Sequence, residues 1–430
     1  MTAGLDPTRV QLDNGLVVMH QANRASPAVT VSLSVAAGAC FEPAAQAGLA
    51  TLMARGLTRG TELRDKSAVG EVLDFRGAHL GGSAGRHTAG LVAKSRAEDM
   101  PEIIALLGEC ARHPTFPEAE VAKLIGDRLT GLQEDLDDPG VVAMHALREL
   151  AYPHGHPYAA RLRGTAATVE TIGAEDLRAF HARYFGPSAA LLVVSGNVDV
   201  DTALAAAHDA FDSWSDPEPR GGYRQAQCTV ADVEPLHEVH RRVDTMPDKA
   251  QVDIALGHAS IRRSDERYFA AALMNTILGR FAMGGRLGRS VREEQGMAYY
   301  TYSAFAGGLG PGPFVVRAGV QPQHVEPAVG AVITEIRRIR AEPVDDEELD
   351  NAKAASIRAL PRSLESNEGM AGLLHEIEMF DLGLDYPQRL EGYVNEVDVE
   401  AVHTAARELL CPDAHALAIA GPWSPPTGDA

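Results

Sequence analysis

The sequence is short of cysteine and of positive charge, and its apolar residues never collect into a long run. Four cysteines occur in 430 residues, at Cys40, Cys110, Cys228 and Cys411. They lie far apart with no CxxC spacing, which argues against a disulfide framework or a thiolate zinc site and points to a reducing compartment. Lys and Arg number 39 against 59 Asp and Glu, a formal net charge of -20. Nucleic acids and anionic membranes both call for a basic face, so neither is expected as a partner. The excess of acid favours solubility and a mild preference for basic substrates. No apolar stretch approaches eighteen residues, and the start, MTAGLDPTRVQLDNGLVVM, has no basic, apolar, cleavage-site order. The expected location is cytoplasmic, or periplasmic if a leader has been removed. GGLGPGP from Gly307 lacks the GK[ST] ending of a phosphate loop, so a hairpin connection is expected there.

What is present is length, a repeat and two motif-bearing helices. A chain of 430 residues with 45% hydrophobic content exceeds one ordinary core. VETIGAEDLRAFHARYF from Val169, followed by SAALLVVSGNV, matches VNEVDVEAVHTAARELL from Val394, followed by DAHALAIAGPW, at a constant offset of 225 residues. FPEAEVAKLIG from Phe116 has a looser counterpart in VDDEELDNAKA from Val344. Two homologous α+β halves are the economical reading, because helices and strands come in runs without a regular βαβ order. The expected division is 1–215, a linker at 216–235 dense in Pro, Gly and polar residues, 236–424, and a tail at 425–430.

Within the first half, Val10 to His20 reads as a hairpin and VTVSLSVA from Val29 as a half-buried strand. Leu49, Leu52, Met53 and Leu57 have helical spacing, so the stretch around them should be a buried helix. Further helices are expected over Asp99–Cys110, from Pro117, and over Pro139–Ala151. The histidine pairs His154/His156 and His237/His240 sit in a loop and an extended stretch, where neither spacing converges on a metal.

In the second half, Leu287 and Val291 recur at a four-residue step in a helix that Gly284 and Gly285 open and Gly296 stops. MAYYTYSAF then reads as a strand. Arg292 in the last helical turns and Tyr299 early in the strand have six residues between them and are placed to converge. Both are hydrogen-bond donors, suited to a peptide carbonyl or the oxyanion formed when it is attacked. The bland alternative is a solvated Arg beside two glutamates and a tyrosine used in packing, and Tyr300 or Tyr302 could take the place of Tyr299 if the strand register differs.

The segment RLGRSVREEQGMAYYTYS resembles the C-terminal half of the pitrilysin/insulinase peptidases, which include the mitochondrial processing peptidases and two-domain bacterial relatives. The resemblance runs from the first hairpin to Gly421. It implies a clamshell of two homologous halves. It also implies that Arg292 and Tyr299 bind substrate near the scissile bond. Active members have, in the first half, a glycine, two residues and then H-x-x-E-H, whose histidines hold zinc and whose glutamate is the general base. Aligned on Gly48 and Gly60-Thr61, those three positions fall on Thr51, Ala54 and Arg55, none of which supplies that chemistry. The family's third ligand would fall among Glu120, Asp127 and Glu134, and a lone carboxylate does not retain zinc. The resemblance therefore implies a chain without its own catalytic residues or metal. It would be the substrate-binding subunit of a heterodimeric zinc metalloendopeptidase, with zinc in a similar-sized H-x-x-E-H partner and a peptide as substrate. The alternative is a structural or peptide-holding protein of the same fold without peptidase activity.

Overall fold

The computed structural model of the chain describes residues 5–216, 218–280 and 285–425. In the first half β1 (Thr8–Gln11) and β2 (Val17–Ala22) form the expected hairpin, followed by β3 (Ala28–Val35). Two 3-10 turns, Ala39–Phe41 and Ala44–Gln46, lead into α1 (Leu49–Gly56), so the buried helix is shorter than its apolar spacing suggests. Then come α2 (Lys66–Arg76), β4 (His79–Ala84), β5 (Ala89–Arg96), α3 (Met100–Arg112), α4 (Glu118–Leu136), α5 (Pro139–Ala151) and the one-turn α6 (Ala166–Val169). The half ends with α7 (Ala174–Tyr184), β6 (Ala190–Gly196) and α8 (Val200–Phe211).

The second half runs β7 (His240–Thr245), β8 (Val252–Ala259), α9 (Tyr268–Asn275), β9 (Ala298–Phe305), β10 (Pro313–Val320), α10 (Val325–Ala341) and α11 (Asp346–Ser363). It closes with α12 (Asn367–Met379), α13 (Tyr386–Asn395), α14 (Val399–Leu409) and β11 (Ala416–Gly421). The mixed α+β class is as expected. The helices α7 and α14 lie 225 residues apart, at the offset of the sequence repeat.

The described residues form two sheets. One has the order β1-β2-β6-β3-β5-β4 and the other β7-β11-β8-β10-β9. In each, the repeated strand, β6 or β11, is parallel to one neighbour and antiparallel to the next. Two compact units hold these sheets, and they are not contiguous in sequence. One comprises residues up to Leu132, Arg161–Cys228 and Leu360–Gln388; the other comprises Gln133–Ala160, Thr229–Ala359 and the chain from Arg389.

The first unit explains the division. Val29, Val31, Leu33 and Val35 of β3, with Leu192 and Val194 of β6, face a core closed by α1 and α3. The alternation in β3 suggests that its other face is wet, yet Thr30 and Ser32 are buried too. The cover is α12, which comes from the second repeat and packs on β6, β3 and β2. Leu373, Leu374 and Ile377 are its buried apolar positions, each worth about 1.5–3 kcal/mol relative to exposure. Polar contacts set its register: His375 Nε2 lies 3.0 Å from Ser32 Oγ, and Asn367 Nδ2 donates to the Ala28 carbonyl at 2.9 Å. The Glu378 carboxylate, 2% exposed, accepts from Arg9 Nε and Nη2 at 2.8 and 2.9 Å and from Arg224 Nη2 at 3.2 Å.

The second unit is built the same way. Val252, Ile254 and Leu256 of β8 face the helix-side core, and α5, from the first repeat, packs on β8, β11 and β7. Here Gly140, Ala143 and Ala146 on the helix meet a sheet face bearing Ala255, Ala416, Ala418 and Ala420 beside Asp253 and Arg317, and Glu149 of the helix pairs with Arg242 of β7 at 2.8 Å. The stretch 216–235, expected to be a linker, carries the buried side chains Tyr223, Ala226 and Val230. Of the expected tail, residues 426–430 lie outside the described residues, as does Gly284.

Truncating Glu378 to Ala removes a buried charge from two arginines that keep about a third of their own exposure. The expected loss is toward the lower end of the roughly 3–5 kcal/mol typical of breaking a buried pair. It should appear as a lower urea midpoint of the transition that releases α12, and an unchanged midpoint would contradict the assignment. Burial on its own would raise this carboxyl; Arg9 and Arg224 outweigh it and hold it below the ordinary 4.5. A depressed acid contributes stability above its unfolded value and loses it as pH falls through the folded one. Amide exchange in α12 should therefore accelerate below about pH 4.5, and Glu378→Gln should remove that dependence.

Candidate functional site

The segment that bears Arg292 and Tyr299 is held from below by its apolar positions and from the side by an ion pair. Leu287 and Val291 are both fully buried, as their spacing suggests. Arg286 grips Glu348 of α11 through two bonds, at 2.7 and 2.5 Å. The helix itself differs from the expected α form, since Gly288–Glu294 is wound as a π-helix, as is Thr276–Arg280 at the end of α9. Such wide turns recur where a helix must present side chains off the regular path. Gly296 ends the helix at φ 61°, its N–H bonded to the Arg292 carbonyl at 3.1 Å, and Met297 N–H reaches the Val291 carbonyl at 3.1 Å.

Strand β9 then begins with a bulge. Ala298 pairs with Val320 and Tyr300 with Gly319, so Tyr299 has no partner across the ladder. An extra residue in a strand turns its side chain out of the alternation. Tyr299 is 82% exposed. Beyond it Thr301 and Ser303 are buried toward the helices, where Ser303 Oγ donates to the Asn275 carbonyl at 3.3 Å. Tyr300 and Tyr302 face the other side. The Tyr300 hydroxyl donates to the Asp253 carboxylate, and Arg317 Nη2 binds both that carboxylate at 3.0 Å and the Tyr300 oxygen at 3.3 Å. This Asp253–Arg317–Tyr300 cluster escapes sequence reasoning because its members come from three strands. Arg292 is half-buried, and neither its side chain nor that of Tyr299 is bonded to another described residue.

The helix aligned with the zinc motif keeps its packing. Its N-terminus is capped by Glu42, which accepts from Gly48 N at 3.1 Å and Ala50 N at 2.5 Å. Burial pushes the Glu42 carboxyl up to about 7, against those N–H bonds, which favour the charged form. Thr51 Oγ1 donates to the Leu162 carbonyl at 2.9 Å. Ala54 is fully buried, and its carbonyl oxygen would stand 1.8 Å from a Cβ at position 82, so strand β4 needs Gly82 to pass. Arg55 is exposed. On α4, Glu120 pairs with Lys123 at 2.6 Å, Lys66 at 3.3 Å and Arg59 at 3.5 Å. Among the described residues no three His, Cys, Asp or Glu side chains gather in a way that could hold a metal ion.

Of the other histidines singled out, His156 Nδ1 accepts from Tyr158 N at 3.1 Å and its Nε2 lies 3.3 Å from the Ala231 carbonyl, while His154 is exposed. The GGLGPGP stretch joins β9 to β10, the expected hairpin, and is tied down by Tyr152, which donates to the Pro311 carbonyl at 2.9 Å. No helix among the described residues is long and apolar enough to cross a membrane.

Two family models match the chain in tandem. One described as Insulinase (Peptidase family M16) covers residues 17–153, and one described as Peptidase M16 inactive domain covers residues 171–356. The chain belongs to the pitrilysin/insulinase family. Its relatives include the uncharacterized zinc protease YmxG of Bacillus subtilis, 22% identical across 96% of this chain and 98% of that one. Another is the uncharacterized zinc protease SCO5738 of Streptomyces coelicolor, 25% identical across 80% of this chain and 74% of that one. Among solved structures, a peptidase M16 inactive domain from Pseudomonas fluorescens is 27% identical with a TM-score of 0.87, covering 98% of this chain and all of that one. A Helicobacter pylori protease, 16% identical, shares the fold with a TM-score of 0.89 over 97% and 99% of the two chains.

The turn at Gly296 gives a direct check on how the family segment is held. A Cβ there would meet nothing within 4 Å, so the cost of Gly296→Ala is the left-handed backbone alone, about 1–2 kcal/mol. Asn, which tolerates that conformation, should cost less in the same urea titration. Equal and negligible losses for both variants would mean that the turn does not hold this conformation in solution.

Proposed function

We propose that this chain is the non-catalytic, substrate-binding subunit of a heterodimeric zinc metalloendopeptidase. Its partner is a similar-sized chain bearing H-x-x-E-H and zinc. The observation that carries the reading is the bulge in β9. It leaves Tyr299 exposed, across the Gly296 turn from Arg292, and among the described residues neither side chain has a bonding partner, while the neighbouring Tyr300 is engaged with Asp253 and Arg317. Two donors separated by one tight turn suit a substrate carbonyl that becomes an oxyanion. The metal in the partner would supply the activated water. Arg292, always charged, and the Tyr299 hydroxyl would donate hydrogen bonds to the peptide carbonyl and to the negative charge that grows on it.

The zinc motif is read as lost in this chain. The Thr51 hydroxyl is committed to a backbone carbonyl, Ala54 has no donor atom, and the fixed charge of Arg55 repels a metal. The family's descriptions, an inactive domain and several zinc proteases, suit a chain that has kept the peptidase scaffold and a substrate-binding element.

Native mass spectrometry with zinc quantified, on the complex isolated through this chain from its source, should give a partner of similar mass and about one zinc per pair. In that pair Arg292→Ala or Tyr299→Phe should lower kcat by about two to three orders of magnitude and leave assembly intact, the usual effect of losing one oxyanion donor. A zinc-free homodimer or lone monomer would instead favour a structural or peptide-holding protein.

A further inference from the structure

The sequence sets Cys40 and Cys228 188 residues apart, and the fold of the first unit brings them together. Cys40 lies on the 3-10 turn between β3 and α1; Cys228 ends the stretch that follows Trp214. The Cys228 sulfur is 3.6 Å from the Cys40 carbonyl oxygen, and the two thiols hydrogen-bond each other. On the far side, Cys40 Sγ is 4.0 Å from His87 Nδ1. The Arg220 guanidinium stands over the rings of Phe41 and Tyr184, at 4.8 and 5.4 Å, and donates to the carbonyls of Ala36 and Ala226 at 2.6 and 2.7 Å. That places a fixed positive charge beside Cys228. Neither cysteine is in a disulfide, and both are only half-buried.

We propose that Cys40 and Cys228 are an oxidation site for hydroperoxides that closes to an intramolecular disulfide. The inference does not depend on the peptidase reading. The hydrogen bond from Cys40 and then the charge of Arg220 hold the Cys228 thiol below its ordinary value against burial, which favours its thiolate. The Cys40 thiol moves the opposite way, raised by the same bond and by burial, with Arg86 and Glu42 as the other charges nearby. The remaining cysteines are poorer nucleophiles: burial pushes Cys110 up to about 12, and Cys411 is also raised by burial.

In the first step the Cys228 thiolate attacks one peroxide oxygen. The O–O bond breaks and the leaving hydroxide takes up the proton that the Cys228 thiol released to solvent, giving water, so that Cys228 becomes a sulfenic acid. In the second step the proton of the Cys40 thiol passes through water to the departing hydroxyl. The Cys40 sulfur attacks the sulfenic sulfur, the S–O bond breaks, and water leaves with the proton. Two thiols and one hydrogen peroxide give one disulfide and two waters; the sulfurs lose two electrons and the peroxide gains them. The bridge would pin the residues around Cys228 to the turn that precedes α1.

The full chain, reduced and then treated with hydrogen peroxide at pH 7, should lose two of its four thiols. Non-reducing peptide mass mapping should show a Cys40–Cys228 link, reversed by dithiothreitol. In C40S, Cys228 should stop at the sulfenic acid and be trapped by dimedone. In the untreated chain Cys228 should react with iodoacetamide about tenfold faster than Cys411, as its larger thiolate fraction outweighs its lower intrinsic nucleophilicity. Loss of thiols without that link, links through Cys110 or Cys411, or equal alkylation of Cys228 and Cys411 would overturn the proposal. The mapping and alkylation use the unaltered chain, so a variant that fails to fold does not spare it.

Discussion

A sheet whose second face is also apolar or neutral must be covered on both sides, and here each sheet finds its second cover in the other repeat. The helix α12 lies on β6, β3 and β2, and α5 lies on β8, β11 and β7. The two solutions differ chemically. The first is fixed by polar anchors, with Glu378 buried between Arg9 and Arg224 and His375 against Ser32. The second adds close approach, small side chains on the helix meeting alanines on the sheet, to an ion pair between Glu149 of α5 and Arg242 of β7 at 2.8 Å. An ion pair specifies register and gives way to acid; a glycine and alanine contact is intolerant of added volume.

The family segment depends on this construction. The face of β8 that carries Asp253 is also a face that α5 packs against, and Asp253 occupies Tyr300 and Arg317. With Tyr300 committed, the bulge in β9 turns a run of tyrosines with similar chemistry into residues with different tasks. The Gly296 turn and the Arg286–Glu348 pair fix the helix side of the same element. The helix that carries Thr51, Ala54 and Arg55 is as well packed, with Leu52, Met53 and Ala54 fully buried.

Much of this was legible in the sequence. The repeat at 225 residues fell on α7 and α14, the apolar spacing of Leu287 and Val291 on a buried face, and Pro139–Ala151 on α5 with its bounds unchanged. The rest failed for identifiable reasons. Alternation in VTVSLSVA reports which face is apolar, not which is wet, and a neutral face of Thr and Ser can lie under a helix from distant sequence. The Tyr223 segment was read as a linker because its Pro, Gly and polar residues dominate its composition, yet a single buried tyrosine and the bonds of Arg220 hold it in place. The π form of the Arg292 helix leaves no mark in apolar spacing. Cys40 and Cys228 were dismissed on spacing, a test blind to a contact made by folding.

The crossed helices also bear on how such a chain can have arisen. Cut near residue 225, either half would have a sheet lacking one cover and a helix lacking its sheet. Two finished domains joined end to end would not give this arrangement. A single repeat could cover its sheet only with the helix of a second copy, so each fold unit is complete only when both repeats are present.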